Sequence, residues 1–204
     1  MARQDQAADD LDERIVDAAL AMAEADRWDS VRLRRIAKEV GIPLADLAAR
    51  FRDRDAIANA WFARARAAML APLPADVAAA PAAERLFVLM MRFLDALAAH
   101  RRVTVQMLKV KLWPFHPHHW VPMVFELSRT VLWWRDAAGL DAPPPRREIE
   151  EIALTWLFLG TLAVWANDAT EGQKRTRRFL HRRLTDADAI ARLRLMPCAW
   201  SRYG

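Results

Sequence analysis

Cysteine is almost absent from this chain, since Cys198 is the only one in 204 residues. A single thiol excludes intramolecular disulfides and a zinc ribbon, so we expect a protein of a reducing, cytoplasmic compartment. Glycine is also scarce, with 5 residues, which disfavours glycine-rich phosphate loops and glycine-punctuated sheets. The abundance of alanine, leucine and arginine instead predicts an all-α protein.

We expect neither a signal peptide nor a membrane-spanning segment. Residues 1–12 are MARQDQAADDLD, polar and acidic where a signal peptide needs a basic start and an apolar stretch. The longest apolar runs, such as residues 152–166, are shorter than the roughly 20 residues that cross a bilayer. We interpret them as buried helices.

The net charge of +5 is unevenly distributed. Residues 1–26 contain two arginines against eight acids, whereas residues 27–66 contain ten basic residues against five acids. Residues 173–204 add nine basic residues against two acids. Each basic region predicts an anionic partner, either DNA phosphate or a lipid headgroup.

The first quarter of the chain has the signals of a helix-turn-helix. An apolar stripe at three- and four-residue steps predicts a first helix from Leu11. A second, short stripe ends at Gly41, where a left-handed C-cap residue is expected. Pro43 then starts a helix over residues 44–50, and Asp53 can cap a fourth helix. Two short helices joined by a glycine turn after a longer supporting helix predict this motif.

A dozen positions within residues 14–62 keep a fixed spacing without a gap: Ile15, Ala18, Ala19, Trp28, Leu33, Arg34, Ile36, Ala37, Gly41, Ile42, Leu47 and Phe51. They resemble the DNA-binding domain of TetR-type bacterial transcriptional regulators. The resemblance implies a TetR-like fold, with a helix-turn-helix domain over residues 1–70 and a helical ligand-binding and dimerisation domain over residues 71–204. It also implies a homodimer that binds operator DNA.

The recognition helix departs from the family pattern. Pro43, Asp46 and Ala48 stand where the family has a serine, a small hydroxyl residue and a tyrosine, and none of the three donates a side-chain hydrogen bond. Positive charge remains to hold the DNA backbone, at Arg32, Arg34, Arg35, Lys38, Arg50, Arg52 and Arg54. The alternative is a solvated basic face that no longer binds DNA.

The second half of the chain is apolar and rich in tryptophan and methionine. Apolar periodicity predicts helices over residues 82–99, 123–138, 146–169 and 173–184. The large side chains are either ordinary core or the lining of a cavity for a small apolar or aromatic ligand. The candidate ligand-binding residues are Met90, Phe93, Met107, Trp113, Trp120, Met123, Trp133, Trp134, Trp156 and Trp165. A strongly charged effector is not expected, because no convergent basic residues stand out on these helices.

Residues 154–184 have a second set of recognisable features, namely Leu162, Trp165, Asp168, Thr176, Phe179, Leu180, Arg182, Arg183 and Leu184. They resemble the final conserved segment of the Coq-nine-type ubiquinone-biosynthesis proteins. That resemblance implies an alternative function, a lipid- or quinone-binding accessory protein on a TetR fold that no longer binds DNA. Physically, residues 150–184 predict a helical hairpin with an apolar face, the element through which TetR-type chains form homodimers.

Metal binding and enzymatic catalysis have little support in the sequence. His116, His118 and His119 are close enough to share a metal ion, but no carboxylate lies within several residues, so we favour a solvent-facing loop. A Ser/His/Asp set cannot be assembled, and we expect no enzymatic activity and no cofactor. Beyond Leu184, Thr185 or Asp186 can cap one more short helix, which either packs on its own domain or makes peripheral contact with a membrane.

Overall fold

The computed structural model describes residues 2–111 and 128–195 of the chain, with the side chains of residues 8–110 and 128–187. Every regular element within these ranges is a helix, which confirms the all-α prediction. The candidate ligand-binding residues Trp113, Trp120 and Met123 lie outside the described residues, as does the histidine cluster. The end of the basic tail, from residue 196 onward, lies outside them too.

Ten helices are described. They are α1 (Ala2–Ala25), α2 (Leu33–Val40), α3 (Leu44–Arg50), α4 (Arg54–Leu70), α5 (Ala75–Ala78), α6 (Ala82–Ala98), α7 (Arg101–Lys111), α8 (described over residues 128–137), α9 (Arg146–Ala166) and α10 (Lys174–Leu195). Short 3-10 turns occur at Trp28–Ser30 and Glu171–Gln173.

The chain forms two compact units. Of the described residues, the first unit contains 2–68 and 95–111, and the second contains 69–94 and 128–195. Helices α4 and α6 each contribute to both units. The assignment of DNA binding to residues 1–70, and of ligand binding and dimerisation to residues 71–204, stays a prediction.

The first unit is built around the apolar face of α1. Ile15, Ala19 and Leu20 on that face are at most 1% exposed, and they are buried together with Ile36 of α2 and Leu47 of α3. These are largely the positions whose spacing predicted the helix-turn-helix. The guanidinium of Arg14 donates to the carbonyl oxygen of Val40 over 2.9 Å, so α1 also satisfies a backbone acceptor at the end of α2.

The second unit has an aromatic core. Phe158 of α9 packs against Phe93 of α6 and Trp134 of α8, with ring centroids 5.5 Å and 6.2 Å apart. The indole nitrogen of Trp134, which is fully buried, donates to the carbonyl oxygen of Leu86 over 2.9 Å. A buried N–H without such a partner is costly, so this hydrogen bond allows a tryptophan to occupy the core.

Helix α10 differs from the sequence-based prediction. A break near Leu184 followed by a new capped helix is wrong, because α10 continues to Leu195. The hydroxyl of Thr185 donates back to the carbonyl oxygen of His181 over 2.9 Å. A threonine that bonds to the preceding turn is part of a continuing helix and does not cap a new one.

Helix α9 is long and apolar. It has 21 residues and meets the length and composition criteria for crossing a membrane, although only 22% of its apolar 18-residue window is buried. The interpretation of residues 152–166 as a buried helix is therefore wrong for most of its positions. One such helix is weak evidence for insertion, because core and interface helices meet the same criteria. Its charged first turns, which contain Arg146, Arg147, Glu148, Glu150 and Glu151, shorten the apolar part.

Candidate nucleic-acid interface and ligand-binding surfaces

The turn of the helix-turn-helix forms as its sequence predicts. Gly41 adopts the left-handed conformation with φ 79°, and its N–H donates to the carbonyl oxygen of Ala37 over 3.0 Å. The N–H of Ile42 donates to the same oxygen over 2.9 Å. Pro43 then leads into α3, and its carbonyl oxygen accepts from the N–H of Asp46 over 3.1 Å. Glycine is favoured at such a C-cap because it has no Cβ to oppose a positive φ.

The exposed face of α3 is poor in hydrogen-bond donors. Leu47 is fully buried and fixes the helix on the core, while Leu44 is 50% exposed. The other exposed side chains before Arg50 belong to Ala45, Asp46, Ala48 and Ala49. These residues offer hydrocarbon and one carboxylate to a ligand, so α3 has little means of donating to base edges.

Helix α2, in contrast to α3, presents several exposed hydrogen-bond donors, all of them cations. Arg34, Arg35 and Lys38 are not buried, and none of them has a hydrogen-bond or ion-pair partner among the described residues. Arg32 precedes the helix as its N-cap residue, and its guanidinium donates to the backbone oxygen of Asp29 over 2.8 Å. Arg32, Arg34 and Arg54 also line one surface concavity. Three unneutralised charges on one short helix form a surface suited to a polyanion.

The remaining candidate DNA contacts are engaged within the first unit. Arg50 forms an ion pair with Asp12 of α1 over 2.7 Å, and Arg52 forms one with Asp53 over 3.1 Å. Arg54 donates to the carbonyl oxygen of Asp29 over 2.8 Å and lies over the ring of Trp28, 5.7 Å from its centroid. Exposed ion pairs contribute about 0–1 kcal/mol, so these ion pairs hold the three side chains only weakly.

The candidate ligand-binding residues do not form one cluster among the described residues. In the second unit, Met90, Phe93, Trp134 and Trp165 are at most 4% exposed and belong to the core. Met107 is buried in the first unit. Trp133 and Trp156 are 47% and 72% exposed. Of the described candidates, the structure thus presents Trp133 and Trp156 at the surface.

Trp156 lines an apolar groove of about 770 Å³ in the second unit. Its walls come from α6, α9, α10 and the connection before α9, with Leu86, Leu140, Leu154, Leu157, Phe179 and Leu184 as further large apolar side chains. Arg146, Glu150 and Arg183 also line it. The volume lies within the range of about 300–1,000 Å³ that is usual for small-molecule sites.

A second groove, of about 650 Å³, was not expected from the sequence. Five basic residues of α10 line it, namely Lys174, Arg175, Arg178, Arg182 and Arg183, with Asp186 as the acid. The excess of positive charge after residue 173 is plain in the sequence, but its convergence on one groove was not foreseen. The signal that could have shown it is the spacing of Arg175, Arg178 and Arg182, which are three, four and seven residues apart and so share a helix face.

Asp168 has a structural role at the connection between α9 and α10. It is 2% exposed, and its carboxylate accepts from the hydroxyls of Thr170 and Thr176 over 2.6 and 2.7 Å. It also accepts from the backbone N–H groups of the same residues over 3.0 and 2.8 Å. Burial alone would raise the pKa of Asp168, but the four hydrogen bonds outweigh it and hold the pKa well below its usual range.

Metal binding finds no site in the described part of the chain. Within residues 2–111 and 128–195, no group of three or more histidine, cysteine, aspartate or glutamate side chains is placed to hold an ion. The three histidines near residue 117 lie outside those ranges, so their interpretation as a solvent-facing loop stays a prediction.

Comparison with solved structures identifies the family. The crystal structure of the TetR transcriptional regulator from Nitrosomonas europaea ATCC 19718 is 38% identical in sequence, with a TM-score of 0.77. The match covers 87% of this chain and 98% of that one. This chain belongs to the TetR family of transcriptional regulators.

A more distant TetR structure shows the same fold. The TetR transcriptional regulator from Rhodococcus sp. RHA1 is 16% identical, with a TM-score of 0.61, over 85% of this chain and 94% of that one. No protein-family model and no curated protein matches the sequence. Membership of the TetR family confirms the resemblance of residues 14–62, whereas the Coq-nine-type resemblance of residues 154–184 gains no support.

Proposed function

We propose that this TetR-family chain is a cytoplasmic transcriptional repressor that binds operator DNA as a homodimer and is released by a small apolar ligand. The observation that carries the proposal is the unneutralised charge of Arg34, Arg35 and Lys38 on α2, beside the ordered turn into α3. Cations without partners beside this turn are complementary to DNA phosphate.

Phosphate contacts supply most of the affinity in this proposal. Arg34, Arg35 and Lys38 release counterions when they neutralise DNA phosphates, so binding weakens steeply as salt rises. The ion-paired Arg50 and Arg54 add phosphate contacts at the ends of α3 and α4, because their surface ion pairs are weak enough for a phosphate to compete.

Base recognition is limited by the chemistry of α3. Leu44 and Ala48 can make apolar contact with thymine methyl groups, and Asp46 can accept a hydrogen bond from cytosine N4. The helix lacks bidentate donors before Arg50. The shape and deformability of the operator therefore supply a large share of the sequence preference.

A second copy of the chain is the proposed partner of the second unit. Ile149, Ile152 and Trp156 of α9 are 61–72% exposed, and Leu132 and Trp133 of α8 are 42% and 47% exposed. Positions 149, 152 and 156 are three and four residues apart and share one face of α9. Apolar surface of this kind is stabilised by burial against a partner, and a two-fold dimer presents two recognition helices to successive major grooves.

The apolar groove lined by Leu86, Leu154 and Leu157 is the proposed site of the ligand in the second unit. A ligand that binds the released form more tightly than the DNA-bound form shifts the population toward release. The core of the unit that contains this site then includes the buried residues Met90, Phe93, Trp134 and Trp165.

DNA binding is tested with fragments from the region upstream of the chain's own gene. Retention of the protein is measured at several salt concentrations, with unrelated fragments of equal length as competitors. We expect specific retention, and the logarithm of the affinity should fall linearly with the logarithm of the salt concentration. In the R34Q/R35Q variant we expect weaker binding to every sequence and a salt slope smaller by about 2, about 1 for each arginine that no longer neutralises a phosphate.

The matched control is R178Q/R182Q, which removes two arginines from α10 and so changes the net charge equally. We expect its DNA affinity and salt slope to equal those of the wild type. Absence of specific retention at the lowest salt, or an equal reduction in both variants, would contradict the proposal. The lipid- or quinone-binding accessory function then becomes the better account of the fold.

A further inference from the structure

The charge arrangement of α10 is unfavourable for the helix by itself. Lys174, Arg178 and Arg182 follow one another at intervals of four residues, and like charges at this spacing destabilise a helix. At the start of α9 the same spacing is neutralised by ion pairs, Arg146 with Glu150 over 2.9 Å and Arg147 with Glu151 over 2.8 Å. The three positive charges on α10 therefore lack the neutralising ion pairs that are present at the start of α9.

These cations are also available to a ligand. Among the described residues, the side chains of Lys174, Arg175, Arg178 and Arg182 have no hydrogen-bond or ion-pair partner. Together with Arg183 they line the groove of about 650 Å³, where Asp186 is the acid. Lys174 and Arg175 are in the first turn of α10, where the helix macrodipole adds positive potential. The groove thus combines concavity with a large excess of positive charge.

The basic groove adjoins the apolar groove. Phe179 and Arg183 line both, and the guanidinium of Arg183 lies over the Phe179 ring, 5.4 Å from its centroid. Gly160 of α9 lies next to this ring, and a Cβ added at that position would be in ordinary contact with it, at 3.5 Å. An elongated molecule that lies across Phe179 can therefore place one end in the basic groove and the other end in the apolar groove.

We propose that the two grooves together bind an amphiphile whose head group carries several phosphates and whose tail is an apolar chain. Phosphates match the row of Arg175, Arg178 and Arg182, because arginine donates to phosphate oxygens with a planar fork. The tail lies along Leu86, Leu154 and Leu157. This goes beyond the proposed function by adding a charged head group to the ligand, and only its role as an effector rests on that function.

The test is calorimetric titration of the full chain, without DNA, with palmitoyl coenzyme A below its micelle concentration. Coenzyme A alone tests the head, palmitate alone tests the tail, and phosphatidylglycerol vesicles test a membrane as the source of the anion. We expect palmitoyl coenzyme A to bind at least about tenfold more tightly than either part, a factor that corresponds to about 1.4 kcal/mol. The R178Q/R182Q variant should bind it at least about tenfold more weakly than the wild type, and circular dichroism should show that the variant keeps the wild-type fold.

The R34Q/R35Q variant is the matched control, because it removes the same charge from α2, outside both grooves. We expect it to bind palmitoyl coenzyme A like the wild type even though it binds DNA weakly, so a failure of this proposal and a failure of DNA binding are distinguishable. The proposal is overturned if palmitoyl coenzyme A does not bind, if R178Q/R182Q binds it unchanged, if coenzyme A alone or palmitate alone binds as tightly, or if only vesicles bind.

Discussion

At the scale of single residues, Asp168 shows how a buried charge is tolerated through hydrogen bonds. Two hydroxyls and two backbone N–H groups of Thr170 and Thr176 surround its carboxylate at 2.6–3.0 Å. Charge-assisted hydrogen bonds are roughly twice as strong as neutral ones. The four together keep the carboxylate ionised and join the end of α9 to the first turn of α10.

We expect the Asp168→Asn variant to be less stable than the wild type by about 2–4 kcal/mol at neutral pH, because its amide cannot accept all four hydrogen bonds. The pKa of Asp168 is lowered in the folded state, so this stabilisation is fully present above the ordinary aspartate pKa of about 4. It is lost as the pH falls below that value. Urea unfolding at a series of pH values measures the effect.

The control for this prediction is Asp186→Asn, which removes an exposed carboxylate from α10. The difference between the wild type and Asp168→Asn should stay constant from pH about 7 to about 4 and shrink as the pH falls further, whereas Asp186→Asn should stay near the wild type throughout. A difference for Asp168→Asn that is the same at all pH values would show that the ionised form of Asp168 does not contribute.

At the scale of helices, two glycines have opposite roles. Gly41 ends α2 with φ 79°, where a side chain is strained although nothing lies within 4 Å of an added Cβ. Gly160 is inside α9 with ordinary helical backbone, and its added Cβ would meet the Phe179 ring at an ordinary contact distance of 3.5 Å. The same substitution should therefore have opposite effects at the two sites.

We predict that Gly41→Ala destabilises the protein by about 1 kcal/mol, because alanine is strained at positive φ. Gly160→Ala should stabilise it by about 0.5–1 kcal/mol, the ordinary gain when alanine replaces glycine inside a helix. Thermal unfolding of the two variants beside the wild type measures both changes. If both substitutions stabilise the protein, or both destabilise it, the roles given to the two glycines are contradicted.

The helix-turn-helix could be predicted from sequence because its signals are local. Gly41 and Pro43 act within one or two residues, and the backbone N–H of Ala56 donates to the carboxylate of Asp53 over 2.7 Å, as expected of a capping residue. The ion pair of Arg50 with Asp12 spans 38 residues of sequence, so no local pattern indicates it.

The second unit was harder to predict from sequence, because burial there depends on contacts between helices that are far apart in the chain. Trp134 and Trp156 are the same residue type, yet one is fully buried and the other is 72% exposed. Which face of each helix is covered depends on how α8, α9 and α10 pack, and residue type does not contain that information. The charge excess of α10 was visible in the sequence, but the groove that it lines depends on the neighbouring α9.

At the scale of the whole molecule, the exposed face of α9 predicts the oligomeric state. We expect the double variant I152E/W156E to be monomeric at concentrations where the wild type is a dimer, because it replaces two large apolar side chains of the proposed interface by charged ones. Sedimentation velocity over a range of concentrations measures this. DNA affinity should fall as well, since two half-sites would no longer be bound together.

The control for the dimer is Leu70→Glu, which adds a charge at another exposed leucine, 37% accessible, at the end of α4. This variant should sediment like the wild type. If I152E/W156E remains a dimer while its unfolding temperature is unchanged, the second copy occupies a different surface.

The contrast between α2 and α3 has a consequence for how such a protein can diversify. The cations without partners that would contact DNA phosphate in the proposed function belong to α2, whereas the side chains that would contact bases, Leu44, Ala45, Asp46, Ala48 and Ala49, belong to α3. Phosphate contact and base recognition would thus depend on side chains of separate helices. If the proposed function holds, substitutions at those five solvent-facing positions should change the DNA sequence preference and leave the phosphate contacts in place. The packing of α3 should tolerate them, because Leu47 is the buried side chain of this helix.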